Sequence, residues 1–246
     1  MLTNQTFKYK ECHEAALAGD LTELKKFHEN GIEWGSLTPT YASMNGHLDC
    51  LKYCFENGCD WDVLTPAYAA LNGHLDCLKF VHENGIEWDM WTTVFAAENG
   101  HLECLKYAHE NGCQWESNTP KRAAENGHFE CLKYAHDNGC PWDYKTPLNA
   151  AIFGYFECFK YCFEEWNNPQ EFWNHDYNLT QIIYKINLDD PVWRKLFTLD
   201  LSKNPQLQNK VNAKKQEIET LKAASKDALQ NTLPMDVIKY CLQPFF

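Results

Sequence analysis

The chain repeats itself every 27 residues: Gly19, Gly46, Gly73, Gly100, Gly127 and Gly154 are evenly spaced, as are Trp34, Trp61, Trp88, Trp115 and Trp142. A fixed period between about 20 and 50 residues restricts a chain to a stacked solenoid, because one such unit cannot bury its own apolar face and must lean on its neighbours. The best-preserved copy runs from Thr65 through Gly73 to Thr92.

Each copy has the same parts. The spacing predicts Thr at a helix N-cap and Pro at the first helical position in Thr38-Pro39, Thr65-Pro66, Thr119-Pro120 and Thr146-Pro147, with Thr93 in the Pro slot after Thr92. A capping Thr satisfies orphan N–H groups, and Pro has none to lose there. The first helix ends in small residues, Ala69-Ala70 or Ala123-Ala124, which admit a close neighbour. Asn72-Gly73 predicts a tight turn with Gly at positive φ. The second helix carries Leu75, Cys77, Leu78, Phe80 and Val81 on a stripe spaced for burial, and stops at Asn84-Gly85 before a linker holding Trp88.

This unit resembles the ankyrin repeat. The likeness rests on Thr65-Pro66, Ala69-Ala70, Asn72-Gly73-His74, the helix LDCLKFVHENG and their counterparts, across residues 5–165. Ankyrin units are about 33 residues long. Here about five are missing between Gly58 and Thr65, where ankyrins carry a hairpin finger, and one between Thr-Pro and the Ala pair. The His of the Thr-Pro-Leu-His motif is absent from every copy. The short NGHLECLKY-type units are similar to those of giant viruses and unicellular eukaryotes. The expected fold is therefore all-α: an ankyrin-like solenoid with reduced fingers over residues 1–165, followed by a helical C-terminal cap over 166–246.

The first copy reads as an end cap. It has Glu23 where later copies have Cys50, Cys77, Cys104, Cys131 and Cys158, and Lys26 where they have Tyr53, Phe80, Tyr107, Tyr134 and Tyr161. Those positions share one helical stripe, so only the first copy presents a polar one, as a water-facing end requires. The last copy is altered: Tyr155 replaces His, Phe156 and Phe159 replace Leu, and Trp166 stands where the terminating Gly would be. Beyond it, Pro169, Pro191, Pro205 and Pro234 punctuate helices expected near 170–186, 191–200, 205–226 and 234–243.

Charge narrows the function. The formal net charge is −12, of which residues 1–163 carry −11 (12 Lys and Arg against 23 Asp and Glu). Phosphate backbones and anionic membranes need clustered cations, so neither nucleic acid nor a membrane surface is an expected partner. No apolar run approaches a membrane span, and the first residues lack a signal h-region. The expectation is an intracellular, cytoplasmic protein whose 12 cysteines are reduced, with the sequons at Asn4 and Asn178 unused.

The His-x-x-Cys pairs (His74/Cys77, His101/Cys104, His128/Cys131) invite a metal reading, which comparison between copies opposes. Cys59, Cys113 and Cys140 share a slot with Ile32 and Ile86, while Cys54 and Cys162 align with Val81, Ala108 and Ala135. His82, His109 and His136 align with Phe55 and Phe163. A ligand is not exchangeable with Ile, Val or Phe, whereas a buried thiol behaves as a small hydrophobe. No metal, cofactor or catalytic residue is expected: the chain has no Gly-x-Ser-x-Gly, phosphate-binding Gly-rich loop or His-Glu-x-x-His. The Trp column is expected to stack between units.

What varies between copies lies in the linker and first helix, the side that ankyrin-like arrays present as concave. One column reads Leu37, Leu64, Trp91, Asn118, Lys145; another reads Ser36, Val63, Met90, Ser117, Tyr144. A third is Tyr41, Tyr68, Phe95, Arg122, Asn149, and a fourth is Met44, Leu71, Glu98, Glu125, Ile152. Large apolar, aromatic and Arg side chains carry interface energy. The expected contacts to a protein partner are therefore Leu37, Tyr41, Leu64, Tyr68, Met90, Trp91, Phe95, Asn118, Arg122, Tyr144 and Lys145. The leading expectation is a non-catalytic protein-binding scaffold. A second is a ubiquitin-ligase substrate adaptor, since Leu233–Cys241 resembles the Leu-Pro start of an F-box-type helix and the closing segment of a SOCS box. A third is a structural subunit of a large assembly.

Overall fold

The structure, a computed structural model, describes residues 10–165 and, beyond them, Gln208, Asn209, Asn212, Ala213, Gln216 and Thr220, all helical. Two compact units divide the chain, Met1–Trp166 and Asn167–Phe246. The helices expected at 170–186, 191–200 and 234–243, and the Leu233–Cys241 segment, lie outside the described residues. Within the 205–226 expectation, Gln208 Nε2 donates to Asn212 Oδ1 at 3.1 Å and Thr220 Oγ1 to the Gln216 carbonyl at 2.8 Å.

Among the described residues of the first unit there are six helix pairs and no strand. They are α1 (Lys10–Ala18) with α2 (Leu21–Glu29), α3 (Leu37–Met44) with α4 (Leu48–Glu56), and α5 (Thr65–Leu71) with α6 (Leu75–Glu83). Then come α7 (Trp91–Glu98) with α8 (Leu102–Glu110), α9 (Thr119–Glu125) with α10 (Phe129–Asp137), and α11 (Lys145–Ile152) with α12 (Phe156–Glu165). First helices pack on first helices (α1, α3, α5, α7, α9, α11), and second helices on second helices.

Two glycines per unit close two helices in the same way. In α5 the Gly73 N–H reaches the Ala70 carbonyl (3.3 Å) and the His74 N–H the Ala69 carbonyl (2.9 Å), with Gly73 at φ +76°. In α6 Gly85 reaches His82 (2.9 Å) and Ile86 reaches Val81 (3.1 Å), with Gly85 at φ +80°. Both are Schellman ends, whose C″ residue packs against the last turn. That explains the Ile-or-Cys slot at 32, 59, 86, 113 and 140: it is the C″ position. Cys59, Cys113 and Cys140 there are buried, and their thiols donate to the carbonyls of Gly35, Asp89 and Glu116 at 3.7, 3.2 and 3.5 Å. The Asn of each Asn-Gly adds a side-chain bond, as from Asn84 Nδ2 to the Phe80 carbonyl at 2.7 Å.

The core is narrow and built from small residues. Cys77, Leu78 and Val81 of α6 are fully covered, against Thr65, Pro66, Ala67, Ala69 and Ala70 of α5. The thiol column Cys50, Cys77, Cys104, Cys131 and Cys158 is buried throughout, and burial raises each thiol to about 11 or 12. No group of three His, Cys, Asp or Glu among the described residues is placed to hold a metal ion. Likewise no described helix is long and apolar enough to cross a membrane. On the first unit, Glu23 and Lys26 form an ion pair with each other at 2.9 Å.

The N-cap expectation for Thr needs correction. Thr65 and Thr119 are the first residues of their helices, and Thr38, Thr92 and Thr146 the second. Except at α3, where Gly35 takes the place and only its carbonyl accepts from the Thr38 N–H, the cap comes from the carboxylate two or three residues upstream. Asp62 Oδ1 accepts from the Leu64 N–H (2.8 Å), Asp89 Oδ1 from Trp91 (3.0 Å), Glu116 Oε2 from Asn118 (2.5 Å) and Asp143 Oδ1 from Lys145 (2.9 Å). Each of these acids also accepts at its backbone carbonyl from the Thr N–H, closing a turn before the helix. With the orphan N–H groups met from outside, the Thr side chains turn inward. The hydroxyls of Thr38, Thr92, Thr119 and Thr146 are buried without a hydrogen-bond partner.

Candidate interaction face

Two lattices of side chains hold successive units at fixed spacing, and a third set is left on the surface. The first lattice is aromatic. Trp88, in the linker after α6, stacks on His82 (centroids 3.9 Å, 12° between planes), and both meet Tyr107 of the next unit edge-on at 6.0 and 5.7 Å. The same arrangement joins His28, Trp34 and Tyr53; His109, Trp115 and Tyr134; and His136, Trp142 and Tyr161. Trp34, Trp88, Trp115 and Trp142 thus each form a His–Trp stack within one unit with the next unit's Tyr against its edge, rather than Trp on Trp, and Trp61 lies tilted against Phe55 at 5.8 Å. Burial raises the Tyr53, Tyr107 and Tyr134 phenols, and Tyr161 goes furthest, through burial and its bond to Asp137.

The second lattice is the histidine of the Asn-Gly-His turn. His47 Nε2–H donates to the Leu17 carbonyl, one unit back, at 3.1 Å. His74 and His101 bond in the same way to the backbone of Met44 and Leu71. Each ring lies over the glycine of the preceding turn: a Cβ on Gly73 would fall 2.5 Å from His101 Nδ1. In the first unit Asp20 takes this place and caps its own helix by accepting from the Glu23 N–H at 2.9 Å. At the far end the Tyr155 ring covers Gly127 in place of an imidazole.

The surface set consists of the variable columns. They fall at i, i+4 and i+7, which is one face: Leu37, Tyr41 and Met44 on α3, Trp91, Phe95 and Glu98 on α7, and Leu64 at the N-cap of α5 with Tyr68 and Leu71 on it. Leu37 and Trp91 are each 41% exposed, Met90 48% and Val63 70%. Asn118 and Lys145 are exposed, while Tyr41, Leu64, Tyr68, Phe95, Arg122 and Tyr144 are half-buried. Trp91 and Phe95 lie ring to ring at 5.5 Å, and Tyr41 meets His13 edge-on at 5.3 Å. In the later units the face is ionic and internally paired. Arg122 reaches Glu125 at 3.2 Å and Glu98 at 3.9 Å, and Asn149 Nδ2 donates to Glu125 Oε1. Arg122 is therefore engaged by its own neighbours.

Comparison with known proteins agrees with this architecture. A family model described as ankyrin repeats (many copies) matches residues 40–82 and 67–109, and one described as ankyrin repeats (3 copies) matches residues 93–170. Among solved structures, the human ASB11 ankyrin repeat domain is similar with a TM-score of 0.54 at 19% identity, over 62% of this chain and 82% of that one. No curated protein matches. With matched residues running from 40 to 170, more than half of the sequence, and the Gly, His and aromatic lattices filling every interval between, the chain belongs to the ankyrin-repeat family.

Proposed function

We propose that this chain is a non-catalytic scaffold that binds a protein partner through the face made by its first helices and linkers. One observation carries the reading. On a scaffold whose buried positions repeat almost without change, Leu37 and Trp91 stand exposed in one column and Val63 and Met90 in the column next to it. An aligned apolar row rimmed by polar residues is the signature of an interaction surface. With the hairpin fingers reduced to short linkers, recognition falls to the helical face. The adaptor alternative rests on the Leu233–Cys241 sequence alone.

The test is affinity capture with the full chain, wild type against Met90→Ser/Trp91→Ala, with circular dichroism to verify that both are folded. Partners lost only from the variant support the reading. An unchanged set of partners refutes it, and a cullin- or Skp-type protein lost on Leu233→Ala/Pro234→Ala would favour the adaptor.

A further inference from the structure

We propose that the first-helix face of α3, α5 and α7 receives a partner segment in which large apolar side chains are flanked by Lys or Arg. The inference rests on the protein-binding reading above and adds the partner's chemistry.

The linker and first helix of these three units (residues 30–47, 57–74 and 84–101) contain no Lys or Arg, but six carboxylates: Glu33, Asp60, Asp62, Glu87, Asp89 and Glu98. Among the described residues no cation pairs with Asp60, Asp62, Glu87 or Asp89. The capping bonds fix Asp62 and Asp89 one residue before Val63 and Met90, so the acids run in a row beside the exposed apolar row. Asp60 and Glu87 stand exposed two residues further upstream. Exposed apolar residues and unpaired acids stand together in the units of α5 and α7, and Leu37 on α3 extends the apolar row. From α9 onward the same positions bring Lys121, Arg122 and Lys145, and the large exposed apolar residues give way to Ser117 and Asn118.

A neutral or acidic segment seated on the apolar row would leave the carboxylates unpaired or repelled as water is withdrawn. A segment with flanking cations gains at both rows, and like-charged competitors are rejected. The partner contacted here is therefore an apolar-basic segment of another protein.

The test is selection of short randomised displayed peptides on the full chain, followed by fluorescence anisotropy with the synthesised winners. The expected winners combine Leu, Ile, Phe or Trp with Lys or Arg. Their affinity falls by roughly tenfold in Asp60→Lys/Glu87→Lys, weakens in high salt, and is lost in Met90→Ser/Trp91→Ala. Asp60 and Glu87 are chosen because they cap nothing. Winners without cations, or winners indifferent to the charge reversal yet lost in Met90→Ser/Trp91→Ala, overturn this proposal while sparing the binding face. Winners indifferent to both variants overturn the binding face as well. A concentration-dependent dimer abolished by Met90→Ser/Trp91→Ala, or a carbodiimide cross-link from Glu87 to a lysine beyond residue 200, gives the face to a second copy or to this chain's own C-terminal region, and also overturns the proposal.

Discussion

His82 Nδ1 lies 3.0 Å from the Tyr107 hydroxyl, twenty-five residues on in the next unit. The pair recurs as His28 with Tyr53 at 2.9 Å and His136 with Tyr161 at 2.7 Å. Where the first member is Phe55, the second is Phe80, ring to ring at 5.7 Å. The two positions change together because a lone hydroxyl or imidazole nitrogen against a phenyl ring loses its partner, whereas two phenyls need none. At the last pair the direction is fixed: the Tyr161 hydroxyl donates to Asp137 Oδ1 at 3.0 Å, so His136 supplies its Nδ1–H.

That covariation predicts a coupled exchange. His82→Phe and Tyr107→Phe should each destabilise by about 0.5–1.5 kcal/mol, and the double variant should cost less than their sum. The reverse exchange, Phe55→His with Phe80→Tyr, should show the same sign of coupling. Urea unfolding of the four variants and two doubles measures it; additive costs would mean that the bond contributes nothing.

The two glycines of one unit should respond differently to a methyl group. Gly85→Ala meets nothing within 4 Å and bears only the left-handed backbone cost, about 1–2 kcal/mol. Gly73→Ala bears that cost and also drives a Cβ into the His101 ring, breaking the bond from that ring to Leu71. Thermal unfolding should place Gly73→Ala well below Gly85→Ala. Equal losses would show that the imidazole moves aside freely.

Much of this fold is legible in the residues, and the misreadings have physical causes. The glycine and tryptophan columns give the period, and the Ile-for-Cys and Phe-for-His exchanges argue against metal ligation at those positions. The histidine of the turn is harder to read, because its ring serves the unit behind it. The clue was present at the ends of the array, where Asp20 and Tyr155 replace it. Thr-Pro suggested a cap because Thr commonly is one, but Asp62 and its counterparts, conspicuous in the linker, already perform that task. On the first-helix face, Val63, Met90 and Trp91 are exposed and lie in columns that vary between copies. The engagement of Arg122 by Glu98, twenty-four residues earlier, depends on how neighbouring helices are aligned, which one unit's sequence does not state.

The inward threonines yield a contrast in sign. Thr119 and Thr146 bury hydroxyls without partners, so Thr119→Val or Thr146→Val should be neutral or stabilising by up to about 1 kcal/mol. Thr65 differs: its hydroxyl lies 2.8 Å from that of Thr40, a residue found only in that unit at this position. Thr65→Val should destabilise by about 1 kcal/mol, since it removes a buried bond and leaves the Thr40 hydroxyl only its 3.3 Å bond to the Ser36 carbonyl. Urea midpoints of the three variants decide the matter, and a loss at all three would show that the hydroxyls of Thr119 and Thr146 are satisfied in solution.

Acid should loosen the array through its turn histidines. Burial lowers His74 and His101 from the free value of 6.5, helped by the neighbouring imidazoles and opposed by the bonds to Met44 and Leu71. Between the lowered and the free value the unfolded chain holds more protons than the folded one, so acidification favours unfolding. The contribution is complete above pH 6.5 and disappears as the pH falls through 6.5 toward the folded-state values. The buried thiols act at the other limb. Burial raises Cys77, Cys131 and Cys158 from 9.0 to about 12, so their contribution is complete below pH 9 and is lost as the pH climbs from there. Stability should therefore form a plateau between about pH 6.5 and 9, read as the urea midpoint across that range. Replacing His74 and His101 by Gln, which keeps an N–H donor but takes up no proton in this range, should flatten the acid limb and leave the alkaline limb unchanged. An acid limb that persists in the double variant would place the titration on His13, which burial also lowers, or on the carboxylates.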